Sequence, residues 1–272
     1  MTFALPTVSA CITTYNSSST LRETLTSVLG QTHAPEEIFV TDDASSDDTV
    51  RIARAVGGDR VHVLQEVRNN GGPAWGRNAA LAAASSDFVA FLDGDDVWRE
   101  DKLAVQVQAL HSSGARACCS AAMAVGGGAS YDYPVGLRDS DHRIGFAQLV
   151  LLNHVVASSA VVDRALLLEV GGFPERAECI GFEDYCAWMK LAAYSPWHFV
   201  AEPLVRYSVG VPSLRTTTRS QQADIRIECR RELVRQAQNL PSLRSVWAVA
   251  AFVAASSASG HLSALRYPRG AR

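Results

Sequence analysis

The chain has 272 residues, of which 47% are hydrophobic and 19% charged, and its net charge is −3. This is an ordinary globular composition, long enough to bury a sizeable core, and it excludes a largely disordered chain. The six cysteines (Cys11, Cys118, Cys119, Cys179, Cys186, Cys229) are scattered without C-x-x-C spacing, which argues for buried thiols over a disulfide framework or a zinc site. Met1 to Pro6 lacks the basic region and apolar run of a signal peptide, so the cytoplasm is the expected compartment. Charge is unevenly spread. Residues 201–272 hold 11 of the 25 basic residues but only four acids, a surplus that suits phosphate or an anionic membrane surface. Nucleic acid is not an expected partner, because the body is acidic and carries no nucleic-acid motif.

In chain order, Thr7 to Thr13 reads as a strand. Thr20 to Glu23 has the form of a capping box ahead of a helix whose Leu21, Leu25, Val28 and Leu29 share a face, and Gly30 ends it. Ile38 to Thr41 is a second strand running into Asp42 and Asp43, and a helix is expected from about Asp47 through Val56. Val61 to Leu64 gives a third strand, and Pro73 opens a helix that runs to Ala84. Phe88 to Leu92 is a continuous apolar run, the mark of a strand buried on both faces.

This alternation predicts an α/β fold with a mostly parallel sheet flanked by helices, in which ligands bind beyond the carboxyl ends of the strands. Both acidic clusters, Asp42/Asp43 and Asp93 to Asp96, fall there. The second half is less regular. Residues 126–143, rich in Gly, Asp and Tyr, read as a mobile loop. Val155 to Val162 is strand-like, Arg164 to Val170 helical, and Gly171 to Pro174 breaks the chain. Helices follow at Glu183 to Ala193 and, with basic character, at Asp224 to Gln238.

In Asp93-Gly94-Asp95-Asp96, a strand followed by D-x-D gathers carboxylates at a turn that glycine lets bend. Close carboxylates repel unless a cation or proton lies between them, so the pattern suits Mn²⁺ or Mg²⁺ sharing phosphate oxygens with a substrate. The competing reading is a solvated turn in which Asp95 or Asp96 caps the next helix. Asp42 and Asp43 fit a base and ribose reader, or else an N-cap cluster ahead of Thr49. Along the helix that starts near Glu183, successive side chains point about 100° apart, so only one of Glu183 and Asp184 can face a cleft. Asp184 shares a stripe with Trp188 and Leu191, whereas Glu183 shares one with Ala187 and Lys190; Asp184 is therefore the inward acid and Glu183 the solvent-facing one. His154, the remaining histidines and the tryptophans show no metal spacing and read as structural or acceptor-lining.

Five segments in this order resemble glycosyltransferase family 2 on a GT-A (Rossmann-like) fold. They are VSACITTYN (Val8–Asn16), IFVTDDASSDDT (Ile38–Thr49), NNGGPAWGRNAAL (Asn69–Leu81), FLDGDD (Phe91–Asp96) and GFEDYCAWMKL (Gly181–Leu191). The resemblance implies inverting transfer of a sugar from a nucleotide-diphosphate donor, a UDP-sugar first among them, to a hydroxyl of a glycan, lipid-linked or small-molecule acceptor. It implies Thr14, Asn16, Asp42 and Asp43 in the nucleotide pocket, Arg77 near the donor and Asp93 near the ribose. Asp95 would sit on Mn²⁺ or Mg²⁺, with Asp184 as catalytic base. It also implies a domain over 1–215, with the nucleotide and metal half at about 1–110 and the acceptor half at about 111–215.

A basic helical tail would occupy 216–272. Its apolar run Val246 to Ala255 is too short to span a bilayer needing about 20 residues; a helix packed on the body or a subunit contact is the favoured reading, and peripheral contact with the inner face of a membrane is the alternative. One element departs from the family pattern. The expected Tyr-Arg-x-His reads Tyr207-Ser208-Val209-Gly210, which removes two phosphate or metal partners that Arg215 or Arg219 would have to replace. That departure keeps open a catalytically silent nucleotide-sugar-binding or scaffold protein. A sugar nucleotidyltransferase would need a Gly-rich basic phosphate loop that VSACITTYNSSST does not offer.

Overall fold

The computed structural model describes residues 4–126, 129–133 and 140–209. The first half alternates as expected: β1 (Val8–Thr14), α1 (Leu21–Leu29), β2 (Glu37–Asp42), α2 (Thr49–Gly57), β3 (His62–Gln65), α3 (Ala74–Ala83) and β4 (Phe88–Asp93). After β5 (Val97–Trp98) and α4 (Lys102–Ser113) come β6 (Ala117–Gly126), β7 (Ala129–Tyr133), β8 (His142–Ile144) and α5 (Phe146–Leu151). The chain continues through β9 (Val161–Asp163), α6 (Arg164–Glu169), α7 (Glu183–Ala192) and β10 (Trp197–Ser208).

The strands join one sheet in the order β3-β2-β1-β4-β9-β6-β10-β5, with β7 beside β6 and β8 beside β10. The parallel order covers β3-β2-β1-β4 and the β6–β10 pair. Between them β9 runs antiparallel to both β4 and β6, so the second half of the sheet is mixed. Successive strand residues face opposite sides, and this divides the core in two. Ala10, Ile12, Ile38, Val40, Ala90 and Leu92 pack with α1 and α4 on one face. Cys11, Phe39, Val89 and Phe91 pack with α3, α5 and α7 on the other. There Phe91, Phe173, Trp188 and Trp197 form a chain of aromatic contacts with centroids 5.1 to 5.4 Å apart, near edge-to-face. This aromatic chain seats α7 against the sheet.

Several expectations are corrected. The stretch read as a loop at 126–143 contains β7 and the start of β8, paired to β6 and β10 respectively. The strand expected from Val155 shrinks to β9, because Ala157–Ser159 forms a 3-10 turn. Thr20 does not close a capping box: its hydroxyl donates to the Gly94 carbonyl at 2.7 Å, while Glu23 pairs with Arg206 at 2.5 Å. The basic helix at Asp224 to Gln238, the apolar run at Val246, Arg215 and Arg219 lie outside the described residues. Among the described residues no helix is long and apolar enough to cross a membrane.

Candidate functional site

The four amino-terminal parallel strands deliver their polar residues to one edge, and the site is built there. β4 ends in Asp93, and the Asp96 N–H donates to the Asp93 carbonyl at 3.1 Å, closing a tight turn. Gly94 lies at its pinch. A Cβ there would meet Ser17 Oγ and Thr14 Cγ2 at 3.0 Å and the Thr13 carbonyl oxygen at 3.1 Å, so a larger residue would push these neighbours apart and glycine lets the turn lie against β1 undisturbed. The Gly94 carbonyl also accepts from Thr24 at 3.2 Å, which ties the turn to α1.

The three carboxylates of the turn are not equivalent. Asp96 is fully enclosed. Its carboxylate accepts from the Ser158 hydroxyl and, at 2.8 Å, from the Ser208 N–H. Burial, with the charges of Asp93 and Asp95, pushes its carboxyl well above the ordinary range. The turn therefore does not cap the next helix; α4 begins at Lys102 with Asp101 before it. Asp93 is engaged by Arg77 Nη2 at 2.7 Å and by the Thr13 hydroxyl at 3.1 Å. Asp95 is half-buried, and burial followed by the charge of Asp93 pushes its carboxyl up to about 6. Asp93 and Asp95 thus form an oxygen-only pair with excess negative charge, which fits a hard divalent cation. Among the described residues no group of three or more metal-ligating side chains converges, so such a cation would draw its other ligands from substrate or water.

Beside this turn, Thr14, Asn16, Asp42 and Asp43 come together at the ends of β1 and β2. Asp42 is fully buried and holds the following loop, accepting from the Ser45 N–H at 2.9 Å, the Ser45 hydroxyl at 2.5 Å and the Thr14 hydroxyl at 3.2 Å. Asn16 Oδ1 accepts from the Ser46 N–H at 2.9 Å. Asp43 accepts from the Asn70 N–H at 2.9 Å and from Asn70 Nδ2 at 2.8 Å, which fixes the segment leading into α3. Between them Ala44 holds a left-handed φ of 60° and Asn16 one of 49°. Strained backbone of this kind persists where its surroundings over-determine it, often at binding sites.

Arg77 projects from α3 and is only 2% exposed, so it is not a surface charge. Its Nη2 meets Asp93 and its Nη1 meets Glu183 Oε1, each at 2.7 Å, and its guanidinium carbon lies 5.5 Å from the centre of the Phe173 ring. Burial opposes its charge, but Asp93, Glu183 and Asp184 outweigh that and hold the guanidinium ionised. The neighbouring Asn78 bonds both the N–H and the carbonyl of Phe173, so α3 is anchored to the segment before α7.

The face assigned to Glu183 is corrected here. All ten residues of α7 are buried, Glu183 at 3% and Asp184 at 4% exposure. Lys190, expected in solvent, is buried as well and donates to the Gly172 carbonyl at 2.6 Å. Both polar residues of the supposed outer face have partners from distant segments. Burial pushes the Glu183 carboxyl up to about 7, with Arg77 pulling it down and Asp184 adding to the rise. The Tyr185 N–H donates to Asp184 Oδ1 at 2.6 Å. His154 is half-buried, and burial followed by His142 lowers its pKa.

Sequence reasoning missed three supporting residues: Glu183, Ser158 and Ser208. The signal for Glu183 was present, since an acid beside the candidate base needs a counter-charge once both are buried. No local pattern marks Ser158, and position 208 stood out only as the place of a missing arginine, not for the bonds its serine makes.

A family model described as "Glycosyl transferase family 2" matches residues 9–171. The chain is 39% identical over 110 residues to the putative teichuronic acid biosynthesis glycosyltransferase TuaG of Bacillus subtilis, a match covering 40% of this chain and 43% of that protein. It is 29% identical over 191 residues to the UDP-Glc:alpha-D-GlcNAc-diphosphoundecaprenol beta-1,3-glucosyltransferase WfaP of Escherichia coli, covering 68% of this chain and 69% of WfaP. The chain thus spans less than half the length of TuaG and about two thirds of WfaP. Its fold is similar to that of S. aureus TarS 1–349 in complex with UDP-GlcNAc, with a TM-score of 0.76 at 22% identity, covering 95% of this chain and 73% of that one. The architecture is therefore the GT-A type, and this chain belongs to glycosyl transferase family 2.

Proposed function

We propose that the chain is a metal-assisted, inverting glycosyltransferase that moves a sugar from a nucleoside-diphosphate donor to an acceptor hydroxyl. The observation that carries this reading is Arg77, which joins Asp93 at the strand edge to Glu183, the residue before Asp184, through two 2.7 Å contacts. Residues separated by about 90 positions are thereby held in one buried ionic network.

In this reading Thr14, Asn16 and Asp43 serve the nucleoside, with Asp42 acting through the loop it holds, and Asp93 and Arg77 serve the donor. Residues 1–110 form the nucleotide and metal half, 111–215 the acceptor half and 216–272 an appended tail. Asp95, with Asp93 beside it, would hold Mn²⁺ or Mg²⁺, which when bound neutralises charge on the leaving diphosphate. Asp184 takes the acceptor's proton as the acceptor oxygen bonds to the anomeric carbon. The bond from that carbon to the diphosphate breaks, and the nucleoside diphosphate leaves with its electron pair. The likeness to WfaP favours UDP in the donor and a diphospholipid-linked sugar as acceptor, which suits a protein working at the inner face of a membrane.

Asp184→Asn tests the mechanism. Transfer should fall by about two to four orders of magnitude, the usual worth of a general base, while affinity for the donor with Mn²⁺ changes little. Near-normal turnover in this variant would remove Asp184 as the base. Absence of both transfer and donor hydrolysis in the wild type, across a panel of donors that bind, would favour the silent binding protein.

A further inference from the structure

Ser208 stands where the family pattern leads one to expect arginine, and its position in the fold gives it different work. Its N–H donates to Asp96 Oδ1 at 2.8 Å, and its hydroxyl donates to the main-chain carbonyl of Asp95 at 2.5 Å. From the opposite side, the Ser158 hydroxyl donates to Asp96 Oδ2 and accepts from the Asp93 N–H at 3.1 Å. The backbone at 93, the backbone at 95 and the carboxylate of Asp96 are thus fastened to two separate elements, β10 and the 3-10 turn Ala157–Ser159. Ser158 is fully buried and its carbonyl accepts from Trp98 Nε1 at 2.8 Å, so the 3-10 turn is itself held.

We infer that Ser208 and Ser158 are positioning residues that clamp the Asp93–Asp96 turn, consuming Asp96 so that the carboxylates of Asp93 and Asp95 are presented in one fixed geometry. The inference rests on the reading that Asp95 holds the cation. Hydrogen bonds behind a metal ligand set its orientation, and their loss typically weakens metal binding about 10- to 100-fold. Any residue but proline at 208 supplies the N–H; serine or threonine supplies the hydroxyl to the Asp95 carbonyl. Threonine also suits the strand.

The test is Mn²⁺ uptake by the full chain saturated with UDP, or with GDP if UDP does not bind, reading free Mn²⁺ by electron paramagnetic resonance. Ser208→Ala should bind Mn²⁺ about tenfold more weakly, with Ser208→Thr restoring binding to near the wild-type level and Ser158→Ala shifting it in the same direction as Ser208→Ala. A purely structural role would lower the melting temperature and the active fraction without moving the Mn²⁺ midpoint of the folded protein. If the wild type takes up Mn²⁺ and Ser208→Ala matches it, the clamp is refuted while the site reading stands. If the wild type takes up none with either nucleotide, the site reading fails and the clamp falls with it.

Discussion

Replacing Arg77 by methionine probes the ionic network that joins the two halves of the site. Methionine fills much of the volume of the stem but removes the charge, leaving Glu183, only 5% exposed at its side chain, without its counter-ion. Breaking a buried pair from one side costs about 3–5 kcal/mol. Part of that loss is recoverable by protonation. Burial already holds the Glu183 carboxyl up at about 7 against the pull of Arg77, and losing Arg77 drives it higher.

A carboxyl raised in the folded state loses stability as pH climbs from its unfolded pKa to its folded one, and the loss stops once the folded group ionises. The wild type therefore stops losing stability from this group near pH 7, while the variant goes on losing it. Well below pH 7 the group is protonated in both proteins, and the gap reflects the interactions of Arg77 with Asp93 and Asp184 and its packing. Above pH 7 the gap widens by about 1.4 kcal/mol per pH unit until the variant's own titration. For a chain of this size that adds about 2–4 °C to the difference in melting temperature per pH unit. Chemical and thermal denaturation of both proteins from about pH 6 to about pH 8.5 measures it. A gap that stays constant across that range would refute electrostatic coupling between Arg77 and Glu183.

Asp95→Asn should weaken Mn²⁺-dependent donor binding about 10- to 100-fold while leaving the melting temperature of the unliganded protein unchanged or raised, because it removes a half-buried charge that repels Asp93; calorimetric titration with and without Mn²⁺ reads it, and unchanged metal dependence would exclude Asp95. Lys102 is another buried ionisable group, with Nζ 4.1 Å from the centre of the Trp98 ring and no hydrogen-bond partner among the described residues. Burial pushes it down to about 7 from an ordinary 10.5, so between those values the unfolded chain holds more protons and stability rises with pH, by up to about 1.4 kcal/mol per unit. Lys102→Met should flatten that slope and stabilise the protein at neutral pH by about 1–4 kcal/mol; an unaltered slope in urea denaturation from about pH 7 to about pH 10 would show that another group carries it.

The strand-edge part of the site was legible because strand–helix alternation puts every strand end of the parallel half on one side, whatever the packing elsewhere. Asp42, Asp43 and Asp93 to Asp96 follow from that alone. The helix α7 was misread for an equally physical reason. A stripe containing Glu183 and Lys190 looks solvent-facing when helices are assumed to have one wet side, but α7 is covered all round. The partners that make its polar residues tolerable, Arg77 and the Gly172 carbonyl, lie 106 and 18 residues away and leave no local trace. The capping box at Thr20 failed in the same manner, since its hydroxyl found a carbonyl 74 residues distant.

The acidic turn shows where one-dimensional reading ends. Asp93, Asp95 and Asp96 are chemically identical in sequence, and spacing alone treats any two of them as a candidate metal pair. The fold separates them through the neighbours each one meets. β10 and the 3-10 turn at Ala157–Ser159 arrive from the second half of the chain and occupy both oxygens of Asp96. Arg77 takes one oxygen of Asp93. Asp95 keeps a raised carboxyl, its side chain beside a like charge and its backbone carbonyl tied down by Ser208. A carboxylate that burial and repulsion destabilise gains most from a cation, so the division of labour within the turn follows from which oxygens the rest of the protein has already satisfied.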